Sequence, residues 1–160
     1  MSGKESAKVS QDCRRKALDL LARRPHFGRE LETKLASRRF PASAIEETLR
    51  WLEQQGFVDD PDSARRWVAG VARRKGFGPR RMRAELQRRG VAGETVSEVL
   101  AEEWREGESE RTLEAARVWL KTRRWDAAAL ARHLERKGFN GGPIRGALAE
   151  LREKAAEMGA

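Results

Sequence analysis

The sequence predicts an all-α protein: three tandem three-helix repeats forming an elongated, curved solenoid-like body. Three observations predict it. Ala, Leu, Arg and Glu, all strong helix formers, are abundant, whereas Val and Ile are sparse and Tyr is absent. Apolar residues recur at helical rather than alternating spacing. The same apolar columns then return at a period of about 50 residues.

Taken in order, residues 1–9 read as a disordered lead. The first helix runs from about Ser10 to Arg24, with Ala17, Leu18, Leu20 and Leu21 as its stripe and Pro25 beyond it. A second spans about Gly28 to Arg38, with Leu31 and Leu35 one turn apart. Ser43 with Glu46 is a capping-box pattern for a third, which carries Ile45, Leu49 and Leu52 and ends at Gly56.

Asp59-Asp60-Pro61 opens a fourth helix, with Asp at the N-cap and Pro at the first helical position. Trp67, Val68 and Val71 form its apolar face, and Gly76 stops it. Gly78-Pro79 starts the fifth, with Met82 and Leu86 inward and Gly90 after it. Thr95 with Glu98 predicts a capping box for an acidic sixth helix bearing Val96, Val99 and Leu100. A seventh, about Ser109 to Arg123, offers Leu113, Val118, Trp119 and Leu120. Asp126 caps an eighth helix, which carries Leu130 and Leu134 and ends at Gly138. Pro143 opens a ninth with Ile144, Leu148 and Leu151.

The period emerges when Leu35, Leu86 and Leu134 are aligned. Leu31, Met82 and Leu130 then share a column, as do Phe40, Val91 and Phe139, then Ile45, Val96 and Ile144, then Leu49, Leu100 and Leu148. One three-helix unit is too small to bury much core, so stacked units share faces. The expected organisation is the lead 1–9 and repeats at 10–57, 58–107 and 108–157. The five Trp residues are expected to plug gaps between helices.

Charge is the most local feature. Arg65 to Arg89 holds 10 Lys or Arg and one acid, Glu85, a net +9 that equals the charge of the whole 160-residue chain. Such a concentrated field implies a partner, because self-repulsion costs stability in the free protein. Arg73, Arg74 and Lys75 end the fourth helix, and Arg80, Arg81, Arg83, Arg88 and Arg89 ride the fifth. Arg meets phosphate oxygens bidentately, so this segment is the expected partner or nucleic-acid contact. Phe77, between glycines, is either a base-stacking ring or a packing residue beneath the joint.

Little in the chain suggests catalysis, and a non-enzyme is expected. His26 and His133 fall in different repeats, no Cys–His spacing resembles a zinc site, and no phosphate-binding glycine loop occurs. Adjacent Asp59 and Asp60 are explained by capping rather than by a metal. No catalytic residue, metal or cofactor is therefore assigned. Cys13 is the one cysteine, which excludes an internal disulfide; Arg14 and Arg15 beside it favour the thiolate, whereas burial as a small hydrophobe opposes it. No apolar run approaches the ~20 residues of a membrane span, so a cytoplasmic, monomeric protein is expected.

Gly56-Phe-Val-Asp-Asp60, Ala64, Trp67-Val68, Arg73-Arg-Lys-Gly-Phe-Gly-Pro79, Glu85-Leu86 and Gly90-Val91 together resemble the RecX family, bacterial regulators of the RecA recombinase. Ala17-Leu18, Leu20 to Arg24, Glu30-Leu31 and Lys34-Leu35 resemble the family's N-terminal region. The resemblance covers about residues 14 to 152 and departs at Asp62-Ser63, where the family usually shows Arg-Phe. It implies three tandem three-helix units and a role in DNA repair, recombination and the SOS response. It also implies docking on the RecA–DNA filament, where recombinase, ATPase and coprotease functions are hindered. The competing expectation from the residues alone is a general DNA-binding protein that contacts single- or double-stranded DNA directly, without a dedicated recombinase partner.

Overall fold

A computed structural model describes residues 3–158, with the side chains of Arg73, Ala155, Glu157 and Met158 outside the described set. The described residues form nine helices and no strand. They are α1 (Gly3–Arg23), α2 (Gly28–Ala36), α3 (Ala42–Gln54), α4 (Asp60–Lys75), α5 (Pro79–Arg88), α6 (Gly93–Glu103), α7 (Glu108–Leu120), α8 (Ala127–Lys137) and α9 (Gly141–Met158). The chain divides into two compact units, Met1–Arg66 with Leu86–Val96 and Trp67–Glu85 with Ser97–Ala160.

The first unit is built on α1, α2 and α3. Cys13, Ala17, Leu20, Leu31, Leu35, Ala44, Ile45 and Leu52 bury together, with Val9, Leu18, Leu49 and Trp51 packed at the margin. Val9 extends the stripe by one turn, and α1 accordingly starts at Gly3. This corrects the expected disordered lead: residues 3–9 are helical, and Met1 and Ser2 lie outside the described residues. In the second unit α7, α8 and α9 enclose Ala116, Leu130, Leu134, Phe139 and Ile144.

Three of the five aligned columns are buried in every copy, while Phe40, Leu49 and Leu148 leave the other two only partly so. Leu35, Leu86 and Leu134 are fully buried, as are Leu31, Met82 and Leu130, while Val91, Phe139, Ile45, Val96 and Ile144 are nearly so. The periodicity therefore reports burial on each repeat's second and third helices.

Helix starts required more correction. Ser43 and Thr95 lie inside α3 and α6 and are not caps. Pro41, with φ −61° and ψ 145°, leads into α3, and its carbonyl accepts from the Ile45 N–H at 3.1 Å. Ala92 plays the same part for α6, accepting from the Val96 N–H at 2.9 Å. Asp126 does cap α8, taking the Ala129 N–H at 2.9 Å. At α4 the cap is Asp59, which takes the Asp62 N–H at 2.9 Å and leaves Pro61 at the second helical position. Asp60 is not spent on its own helix. Its carboxylate accepts the Gly28 N–H at 3.0 Å and so caps α2.

Two further expectations change. The buried face of α7 is Thr112 and Ala116, not Val118, which is 52% exposed. Thr112 tolerates burial because its hydroxyl donates to the Glu108 carbonyl at 2.7 Å, one turn back. None of the five Trp is fully buried, and Trp125 is 39% exposed. The expected role as core plugs fails for Trp125, which sits on the turn after α7 rather than on a helix face.

Candidate functional site: a cationic joint and groove

The second unit brings two copies of one tetrapeptide together. Arg74-Lys75-Gly76-Phe77 ends α4, and Arg136-Lys137-Gly138-Phe139 ends α8. Gly76 and Gly138 take φ of 57° and 92°, the left-handed geometry that closes a helix and favours glycine. The Gly78 N–H donates to the Lys137 carbonyl at 2.8 Å, and the Arg80 N–H donates to the Gly138 carbonyl at 3.0 Å. In return Lys137 Nζ donates to the Lys75 carbonyl at 2.6 Å. A Cβ at Gly78 would lie 2.5 Å from the Gly138 carbonyl, so only glycine allows this approach.

Phe77 sits at the centre, half-buried. The Arg81 guanidinium lies 4.0 Å from its ring centroid, Lys137 Nζ 5.3 Å and Lys75 Nζ 5.8 Å. Three cations around one ring are held by its negative faces and by backbone carbonyls. Arg81 adds a 3.3 Å bond to the Arg136 carbonyl and a 3.9 Å approach to Glu85. Burial, then the nearby Arg81 charge, pushes the Lys137 ammonium below its ordinary range.

The expected contact residues separate into groups. Arg74, Lys75 and Phe77 line a groove of about 830 Å³ with Ala72, Val118, Trp119, Arg123 and Lys137. Arg80, Arg81 and Arg83 are exposed on α5, where Arg83 donates to the Ser97 hydroxyl at 3.1 Å. Arg73 belongs to α4 by its backbone, and its side chain lies outside the described residues. Arg88 and Arg89 belong to the first unit. There Arg89 pairs with Glu30 at 3.1 Å, and Glu30 also takes the Phe27 N–H at 3.1 Å and approaches Arg24 at 3.4 Å. Arg89 thus carries a structural ion pair. Arg66 at the start of the basic segment is likewise paired, to Asp62 at 2.7 Å.

Lys137 and the Arg136 carbonyl were not predicted as part of this cluster. The signal was the repeated Arg-Lys-Gly-Phe, whose two copies are far apart in sequence. The histidines are explained locally. Burial first, then the Arg24 and Lys34 charges, holds His26 below its ordinary range; its Nδ1–H donates to the Arg24 carbonyl at 2.8 Å, and Nε2 accepts from Lys34 at 2.7 Å. His133 stacks at 6.0 Å on Trp119 and is lowered by burial and then by Lys137, Arg136 and Arg123. Cys13 is buried, which pushes its thiol up and settles the question in favour of a small core residue.

Geometry of this kind defines an all-helical scaffold with a built cationic surface. Residues 13–52 match the family model for the first three-helix domain of RecX, and residues 59–100 match the model for the second. A regulatory protein RecX of Thermus thermophilus is 43% identical over 124 residues, 77% of this chain and 80% of that one. Its counterpart in Halorhodospira halophila is 34% identical over 160 residues, 93% of this chain and 94% of that one. The crystal structure of RecX from Lactobacillus salivarius superposes with a TM-score of 0.81 at 19% identity, covering 91% of this chain and 98% of that one. The chain belongs to the RecX family. No helix among the described residues is long and apolar enough to cross a membrane.

Proposed function

We propose that this protein is a non-enzymatic regulator that binds the filament formed by a RecA recombinase on DNA and inhibits its recombinase, ATPase and coprotease activities. Membership in a family of regulatory proteins supports the class. The observation that carries the contact surface is the joint itself. Repeated Arg-Lys-Gly-Phe segments, interlocked by backbone bonds, hold Arg74, Lys75, Arg80 and Arg81 on a rigid base. Fixed cations lose little freedom on meeting an anionic surface, whether acidic protein or DNA phosphate. Arg83 extends the same surface along α5. The three repeats at 10–57, 58–107 and 108–157 remain the proposed units of the scaffold.

Charge reversal tests this directly. Arg74 and Arg80 are exposed, so Arg74→Glu with Arg80→Glu leaves the core intact. The double variant is expected to keep its helical circular dichroism and to lose inhibition of RecA-catalysed strand exchange. Undiminished inhibition by a folded double variant would refute the assigned surface.

A further inference from the structure

The turn between α7 and α8 has a composition that the α4–α5 surface does not explain. From Ala115 to Trp125 the chain reads AARVWLKTRRW, with four bases, two Trp and no acid. Arg117 is paired with Glu150 at 3.4 Å, and Arg111, earlier on α7, is paired with Glu103 at 2.9 Å. Lys121, Arg123 and Arg124 contact no carboxylate among the described residues. Beside them stand two apolar side chains in solvent, Trp125 at 39% and Val118 at 52% exposure.

The turn also forms one lip of the groove. Thr122 and Arg123 line one side, Arg74, Lys75 and Lys137 line another, and Trp119 and Phe77 supply aromatic surface between, above the buried Phe139. The Arg123 guanidinium lies 5.2 Å from the Trp119 ring centroid, so cation and aromatic face are already adjacent. All of these residues belong to the second unit.

Aromatic faces interleaved with unpaired cations match one ligand chemistry well. Bases stack on rings at about 1–3 kcal/mol each, while Lys and Arg follow the phosphates. An acidic peptide would answer the charge but leave the exposed ring of Trp125 without a matching surface. Duplex DNA presents no unstacked base. We infer that the α7–α8 turn and the adjoining groove form a binding site for single-stranded nucleic acid. In it Trp125 stacks a base, and Lys121, Arg123 and Arg124 hold the backbone. The inference goes beyond the recombinase reading and does not depend on it, since the site needs no second protein.

The test uses the full chain, a fluorescein-labelled oligo(dT) and no recombinase, with anisotropy read at several salt concentrations. The parent is expected to bind with a negative salt slope. Trp125→Ala should weaken binding about 5- to 160-fold, and Trp125→Phe should restore most of it, because either ring stacks. Lys121→Glu with Arg124→Glu, at exposed positions, should flatten the log–log salt slope by about 1.4. Oligo(dT) binding unchanged in both the Trp125→Ala and the Lys121→Glu/Arg124→Glu proteins would overturn the site. Trp125-dependent binding of a poly-glutamate peptide as tight as that of oligo(dT) would also overturn it, assigning the groove to acidic protein instead.

Discussion

The backbone N–H of Gly28, first residue of α2, donates to the carboxylate of Asp60 at the start of α4 over 3.0 Å. One helix therefore borrows its N-terminal cap from another within the first unit. The adjacent Asp59 caps its own helix, so two neighbouring carboxylates serve two different N-termini. Negative charge at a helix N-terminus is favoured by the helix dipole.

Burial raises the Asp60 carboxyl above its ordinary value; the Gly28 N–H opposes this, and the Asp59 and Glu30 charges add to it. A raised folded-state value means the folded protein holds the proton more tightly than the unfolded chain. Stability is then lost as pH rises from the ordinary carboxylate value through the raised one. Asp60→Asn keeps an acceptor oxygen without the charge, whereas Asp60→Ala removes the cap. Urea unfolding at pH 7 should place Ala about 0.5–2 kcal/mol below the parent. It should place Asn clearly above Ala, and the parent should gain on Asn as the pH is lowered.

Glu30 titrates with the opposite sign. Burial pushes its carboxyl up, but the Phe27 N–H, the Arg24 bond and charge, and then Arg89 outweigh burial and leave it below the ordinary range. Its contribution is complete above the ordinary carboxylate value and is lost as pH falls through the depressed one. Glu30→Gln should lower the Tm at pH 7, and the gap to the parent should shrink on acidification below pH ~4. Thermal melts across that range check it.

Gly78 and Gly146 should respond oppositely to alanine. A Cβ at Gly78 would meet the Gly138 backbone at 2.5 Å, whereas at Gly146, inside α9, it would meet nothing within 4 Å. Gly78→Ala is expected to destabilise by about 1–3 kcal/mol through overpacking. Gly146→Ala is expected to stabilise by about 0.5–1 kcal/mol, since alanine restricts the unfolded chain and fits the helix. Chemical denaturation of the two variants gives both signs in one experiment.

The Cys13 thiol is buried and raised by that burial, despite Arg14 and Arg15 beside it in sequence. Arg14 points its charge elsewhere, to Glu47 at 2.7 Å and over the Trp51 ring at 5.2 Å. In the native protein the thiol should react with an aromatic disulfide reagent far more slowly than in urea. Equal rates would show that the site is open.

Much of the fold was legible because the repeat imposed the same burial on three segments. Leu35, Leu86 and Leu134 are identical in type and equally buried, and the glycines after the helices take the left-handed geometry expected of them. Capping signals misled where a Ser or Thr with a later Glu lay inside a helix that Pro41 or Ala92 had already begun. The site was legible only in part. Local charge density marked Arg74 to Arg83, but density alone does not separate a contact residue from one in an ion pair such as Arg89 with Glu30. Lys137 entered through long-range backbone pairing, and Trp125 stood out only once its exposure was known.

Equilibrium binding of the full chain to RecA–single-stranded-DNA filaments, compared with the same naked DNA at two salt concentrations, tests the central claim most directly. Binding to the filament should be at least about tenfold tighter, a difference of roughly 1.4 kcal/mol. It should persist at the higher salt and collapse in the Arg74→Glu/Arg80→Glu protein. Equal affinity for filament and naked DNA, with the same salt slope, would contradict the account and leave a DNA-binding protein without a recombinase partner.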